Sequence, residues 1–179
     1  MDVSFEQRLR SGEVNARLNA WQPITLLAGF RSLALNESLF MDVAFDQALI
    51  NVSNQLYGFQ VGVEGIWSWG RLSLTGFCKG GAYHAKSTLD LSAFDPVYPV
   101  AVNNHATVVG EAGLYMNLNV TRHWSFRGGY QALWTPDLAL ATTQVSEEFP
   151  QGISGADLTV LTNSDVFFYG FFLGAEARW

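Results

Sequence analysis

The stretch Asp165–Trp179, DVFFYGFFLGAEARW, decides how the rest of the chain is read. Counting back from its end, every second residue is apolar: Trp179, Ala177, Ala175, Leu173, Phe171, Tyr169 and Phe167. Arg178, Glu176, Gly174, Phe172, Gly170 and Phe168 fall between them. Successive side chains of a strand point to opposite faces, so this is a strand with one greasy and one mixed face. An apolar face that ends on an aromatic fits a strand whose outer side meets lipid and whose rim carries aromatics. The same pattern recurs upstream.

Composition agrees. The chain has 179 residues, one domain's worth, of which 49% are apolar and only 15% charged. An average soluble domain carries about 25% charged residues, so part of this surface is expected to face something other than water. No run approaches the ~18 apolar residues of a membrane helix. Alternating apolar residues suit a membrane barrel instead. A net charge of −6 with no basic stripe argues against nucleic acid. The single Cys78 excludes a disulfide framework. Met1–Phe5 lacks the basic and apolar regions of a signal peptide, so the expectation is a mature form or a fragment.

Taken in order, residues 3–19 alternate twice, with Val3, Phe5 and Leu9 in one phase and Val14, Ala16 and Leu18 in the other. A bulge at Gly12 would absorb the slip. Further strands are expected at about 24–40, 55–67, 72–86, 107–120 and 124–134, with the last beginning after 164. On the second, Leu26, Ala28, Phe30 and Ala34 point outward and Arg31, Leu33 and Glu37 inward. On the third, Tyr57, Phe59, Val61, Val63 and Trp67 share one face, and Gln60, Gly62 and Glu64 the other. Connections alternate between short (20–23, 68–71, 121–123) and long (41–54, 88–105, 135–164), with a helical tendency at 44–50. Short turns on one rim and long loops on the other describe bacterial outer-membrane topology. Trp21, Trp67, Trp69 and Trp124 flank the short turns and Trp179 shares that rim, as an aromatic girdle would. The strand count is seven. Closed single-chain barrels have an even number, so either an upstream strand is missing or residues 1–19 supply two.

Several motifs resemble the beta-barrel porin-7 family of bacterial outer-membrane proteins. They are Ile24–Arg31 (ITLLAGFR) with Glu37, Leu56–Gly62 (LYGFQVG), Lys79–Tyr83 (KGGAY), Gly110–Leu114 (GEAGL), Trp124–Gln131 (WSFRGGYQ) and the ending Gly170–Trp179. The likeness covers nearly the whole chain in order. Members of that family are longer, which makes this chain similar to the C-terminal portion of one. The resemblance implies a barrel more firmly than any solute.

Glu13, Arg17, Arg31, Glu64, Lys79, Glu111, Arg127 and Glu176 all fall on the expected lumen face. In one reading they pair across a narrow barrel and plug it. In the other they line a watery path and set ion preference. Eight strands leave room for little more than side chains. No nucleophile, metal or phosphate-loop motif appears near His84, His105 or His123, so neither an enzyme nor a cofactor is expected. Cys78 is expected to face lipid as a small apolar residue. The rival architecture is a soluble barrel with apolar residues inside and charge outside.

The expectation is therefore an all-β, antiparallel, up-and-down transmembrane β-barrel of seven or eight strands in the bacterial outer membrane. Its partners would be the lipid bilayer and, through the last strand, the barrel-assembly machinery. Its expected function is porin-like passage of small hydrophilic solutes. The alternative is a plugged barrel whose loops 88–105 and 135–164 contact a partner.

Overall fold

In the computed structural model, which describes residues 2–43, 46–93, 100–148 and 160–177, seven antiparallel strands form one sheet in sequence order. They are β1 (Asp2–Trp21), β2 (Ile24–Val43), β3 (Asp46–Trp69), β4 (Leu72–Ala93), β5 (Ala101–Asn119), β6 (Trp124–Leu138) and β7 (Ser164–Ala177). A short helix, α1 (Ala141–Glu148), lies between β6 and β7. The sheet curls into a half-barrel with a concave and a convex face, and β1 and β7 are its two edges.

The all-β class and the seven strands agree with the alternation. The strand lengths do not. Residues 41–43, 46–54, 88–93 and 101–105, expected in long connections, are strand, and β6 continues to Leu138. The proposed helical tendency at 44–50 is overturned for residues 46–50; residues 44–45 lie outside the described ones. The bulge expected at Gly12 is also absent. β1 pairs with β2 without a break from Asp2↔Asp42 through Gly12↔Ser32 to Asn19↔Thr25.

One physical change explains all of these differences. The phase slip in β1 marks the point where the apolar residues change faces while the strand runs on. Near the short turns the convex face is apolar: Val14 is 78% exposed, Phe59 76% and Phe171 86%. The concave face there carries Glu13, Arg31, Glu64, Lys79 and Glu111. Toward the other rim the polarity reverses. Leu35, Ile50, Val52, Leu56 and Leu89 turn inward and are buried, whereas Asn36, Gln55, Lys86 and Asp90 face out. The reversal follows the hydrogen-bonded row Gly12–Ser32–Tyr57–His84–Ala106 across β1–β5. Each half therefore alternates, but with opposite sense. A wall apolar outside and charged inside and a wall polar outside and apolar inside both occur, stacked end to end.

The upper interior, away from the short turns, holds a continuous apolar filling. Leu33, Leu35, Leu56, Tyr83, Ala85, Val109, Leu133, Leu138 and Val166 form one cluster. Leu39, Ile50, Val52, Leu89, Leu91, Ala139, Ala141 and Val160 form a second. After β6 the chain turns inward, so residues 138–141 sit inside the curl and α1 starts there. Its backbone is satisfied by side chains of the wall. Fully buried Asn54 donates to the Ala139 carbonyl (2.7 Å) and accepts from the Ala139 amide (3.1 Å), while Ser87 donates to Asn54 (2.7 Å). Glu37 accepts from the Ala141 amide at 2.8 Å. A buried polar group without a partner is costly, so these contacts hold the inserted segment in one position.

Two glycines distinguish a continuous β1 from a bulged one. A Cβ on Gly12 would meet nothing within 4 Å, whereas one on Gly58 would strike the Ala82 carbonyl and the Tyr83 ring. Gly12→Val is expected to leave stability unchanged or raise it by up to about 1 kcal/mol, because strand glycine is entropically costly. Gly58→Val is expected to lose about 1–3 kcal/mol through overpacking. Urea midpoints in detergent measure both. A Gly12→Val loss as large as that of Gly58→Val would argue for a broken strand at Gly12.

Candidate functional site: a charge cluster on the concave face

Register brings the cluster together. Glu13 lies directly opposite Arg31 on β1 and β2, and Lys79 directly opposite Glu111 on β4 and β5. Opposed residues share a face, so all four project to the concave side. On β3, between the two pairs, the row partners of Arg31 and Lys79 are Gly58 and Gly62. A Cβ on Gly62 would come within 2.6 Å of Lys79 Cγ. The missing side chain gives Lys79 room to lie across β3 toward β1.

The four side chains then form a closed set of alternating charge. Arg31 Nη1 lies 2.5 Å from Glu111 Oε2, and Lys79 Nζ lies 2.8 Å from that same oxygen. Lys79 Nζ also reaches both Glu13 oxygens, at 2.9 and 3.0 Å, and Arg31 Nη1 lies 3.8 Å from Glu13 Oε2. The Arg31, Lys79 and Glu111 side chains are 6%, 9% and 5% exposed. Glu13 is 33% exposed and closes the set from its open side, so the two buried cations face two carboxylates, the balance that buried charge requires.

Neutral groups complete the shell. Gln60 donates to Glu13 (2.9 Å) and to Asn15 (2.8 Å), and the Tyr83 hydroxyl donates to Gln60 (3.1 Å). Arg31 Nε donates to Ser11 at 3.1 Å. Tyr83 thus joins the two zones, with its ring in the apolar cluster and its hydroxyl on the polar network. The four charged residues themselves line one side of a cavity of about 560 Å3 that extends to Arg17, Glu64, Phe77, Tyr115 and Arg127.

All eight charged residues picked out in the sequence share the concave face, but they are not equivalent. Glu13, Arg31, Lys79 and Glu111 form the cluster, and Arg17 pairs separately with Glu64. Arg127 stacks on the Tyr115 ring at 3.9 Å, with Phe172 at 5.7 Å, and stays open to solvent. Glu176 is on the same face opposite Ser125. Trp21, Trp67, Trp69 and Trp124 are exposed at the short-turn rim; Trp179 lies outside the described residues. Sequence reading passed over Gln60, Tyr83, Ser11 and Asn15 as members of this network. Their parity was visible, but nothing in single-strand periodicity tells which same-face residues meet across the curl.

The cluster's chemistry is cohesive. Each carboxylate is held by cations and hydrogen-bond donors, and the histidines lie elsewhere: His84 exposed on the outer wall, His105 against the Asp137 carbonyl and His123 in a short turn. Cys78 is exposed on the convex face. Among the described residues, no group of three or more His, Cys, Asp or Glu could hold a metal ion. In comparison with known proteins, no family model matches the chain and no curated protein matches it.

Removing one partner from such a cluster leaves buried charge uncompensated. Glu111→Gln strips Arg31 and Lys79 of a shared carboxylate and is expected to cost about 3–5 kcal/mol. Arg127→Gln, at an exposed stack, is expected to cost about 1 kcal/mol or less. Denaturant unfolding in detergent compares them. Equal costs would contradict the unequal placement of these two residues.

Proposed function

We propose that this chain forms a membrane-spanning β-barrel of the bacterial outer membrane whose interior is closed, so that its role is structural or surface-binding. The observation that carries this reading is the neutral Arg31–Glu111–Lys79–Glu13 cluster, with apolar filling stacked above it. Ions crossing the interior would have to break buried ion pairs and then pass leucine side chains, and neither gives a charge a path. The apolar convex face near the short turns supports the membrane part of the reading, and the porin-7 likeness of the motifs supports the envelope. The partners in this reading are the bilayer and the assembly machinery that receives β7. In this reading a partner outside the cell would meet the connections within 88–105 and 135–164, of which residues 94–99 and 149–159 lie outside the described ones.

Porin-like passage of small hydrophilic solutes is the second reading. The polar cavity favours it, because Glu13, Arg31, Lys79 and Glu111 line it and it is large enough to admit water.

Planar-bilayer recording separates the two. Refolded protein with heat-modifiable gel mobility is expected to give no discrete conductance steps, and Lys79→Ala with Glu111→Ala is expected to introduce fluctuating leaks. Steady steps from the unaltered protein would overturn the closed reading in favour of the porin.

A further inference from the structure

We propose, resting on the membrane-spanning reading, that the hydrocarbon of the bilayer covers only the half of the wall next to the short turns. The other half stands clear of it as a water-facing stem with its own apolar core. The occupant of the convex apolar belt is lipid acyl chain, and three observations specify its extent.

The first is height. On β3 the outward apolar residues run from Trp67 to Tyr57. Ten residue steps at ~3.3 Å, reduced by a strand tilt of ~35–45°, span about 25 Å, the height of the lipid-facing band of a membrane barrel. The strand then continues beyond Tyr57 to Asp46, eleven more steps and about 28 Å further on the same arithmetic. The wall is roughly twice as tall as the lipid needs.

The second is chemistry on the outer face. Above the belt it presents Arg8, Asn36, Gln55, Lys86, Asp90 and Asn104. A lysine or arginine on the lipid face near mid-membrane costs about 2–4 kcal/mol. Aromatics mark both borders of the belt: Trp21, Trp67 and Trp124 at the short turns, Tyr57, Trp134 and Tyr169 toward the other end. Aromatic side chains favour the membrane–water interface.

The third is the interior. A wall in lipid has an apolar solvent outside and can keep charge within. A wall in water has to bury its apolar residues inside. The interior changes in that way, from the charge cluster to the leucine-rich clusters, near the level where the exterior changes in the opposite direction. Inner and outer faces report the same boundary independently.

The chain carries one cysteine, Cys78, exposed on the convex face within the belt, and it serves as the native reporter. Refolded protein in phosphatidylcholine vesicles would be treated with a charged maleimide, introduced to both sides of the membrane by freeze–thaw. Ala28→Cys, Lys86→Cys and Asn104→Cys, each in a Cys78→Ala background, would be compared with it. Heat-modifiable mobility identifies the folded fraction, and labelling in SDS gives the full signal. Lys86→Cys and Asn104→Cys are expected to label at least tenfold faster than Cys78 and Ala28→Cys. If the two upper cysteines were as protected as Cys78, the bilayer would cover the whole wall and the proposal would fall while the membrane-spanning reading stood. If Cys78 and Ala28→Cys labelled as fast as the upper pair, the membrane-spanning reading itself would fall.

Discussion

The salt bridge between Arg31 and Glu111, buried together with Lys79 and reached from the half-open side by Glu13, is the constraint on which the remaining structure depends. Three of these charges, Arg31, Lys79 and Glu111, are removed from water and require neutralisation and nearly complete hydrogen bonding; Glu13, one-third exposed, supplies the second carboxylate from the open side. That requirement specifies which residues of β1, β2, β4 and β5 must meet, and so how tightly the sheet curls. It also explains why the strand between them is glycine-rich at these rows, since a side chain at Gly62 would occupy the path of Lys79. Gln60 and Tyr83 then bridge from the charges to the apolar filling, so the two interiors share one boundary residue.

Above that boundary a different constraint operates. The inward faces of β2, β3 and β4 bring leucine, isoleucine and valine together, and the wall alone leaves the middle of the curl to be filled. Residues 138–141 enter it, and their peptide groups would be costly there without Asn54 and Glu37. Asn54, Ser87 and Glu37 are therefore the polar exceptions that permit a loop-derived filling. The charge cluster and the inserted segment fill the concave side by different means, one electrostatic and one apolar.

Much of the lower half was legible in the sequence. The parity of Tyr57, Phe59, Val61, Val63 and Trp67, against Gln60 and Glu64, gave β3 its faces, and the short turns gave the connectivity. The upper half was misread for one reason. Alternation was taken to have a single sense, apolar outward, so residues 46–54, with Ile50 and Val52 inward and Asn51 and Ser53 outward, looked like a connection. The same assumption turned the change of sense at Gly12 into a bulge. In the candidate site, face was legible and partnership was not. Arg31 and Glu111 are 80 residues apart, and only the curl brings them into contact. Arg127 shares their parity but lies beside Tyr115, outside the cluster.

The central claim is that the buried charges act as one unit. A double-mutant cycle on Arg31→Met and Glu111→Leu, read from denaturant unfolding in detergent, tests it most directly. Each single change should be strongly destabilising, and the double change should cost less than their sum by about 1–3 kcal/mol, the coupling of residues in one network. Additivity within about 0.5 kcal/mol, the behaviour of distant and independent sites, would contradict the account.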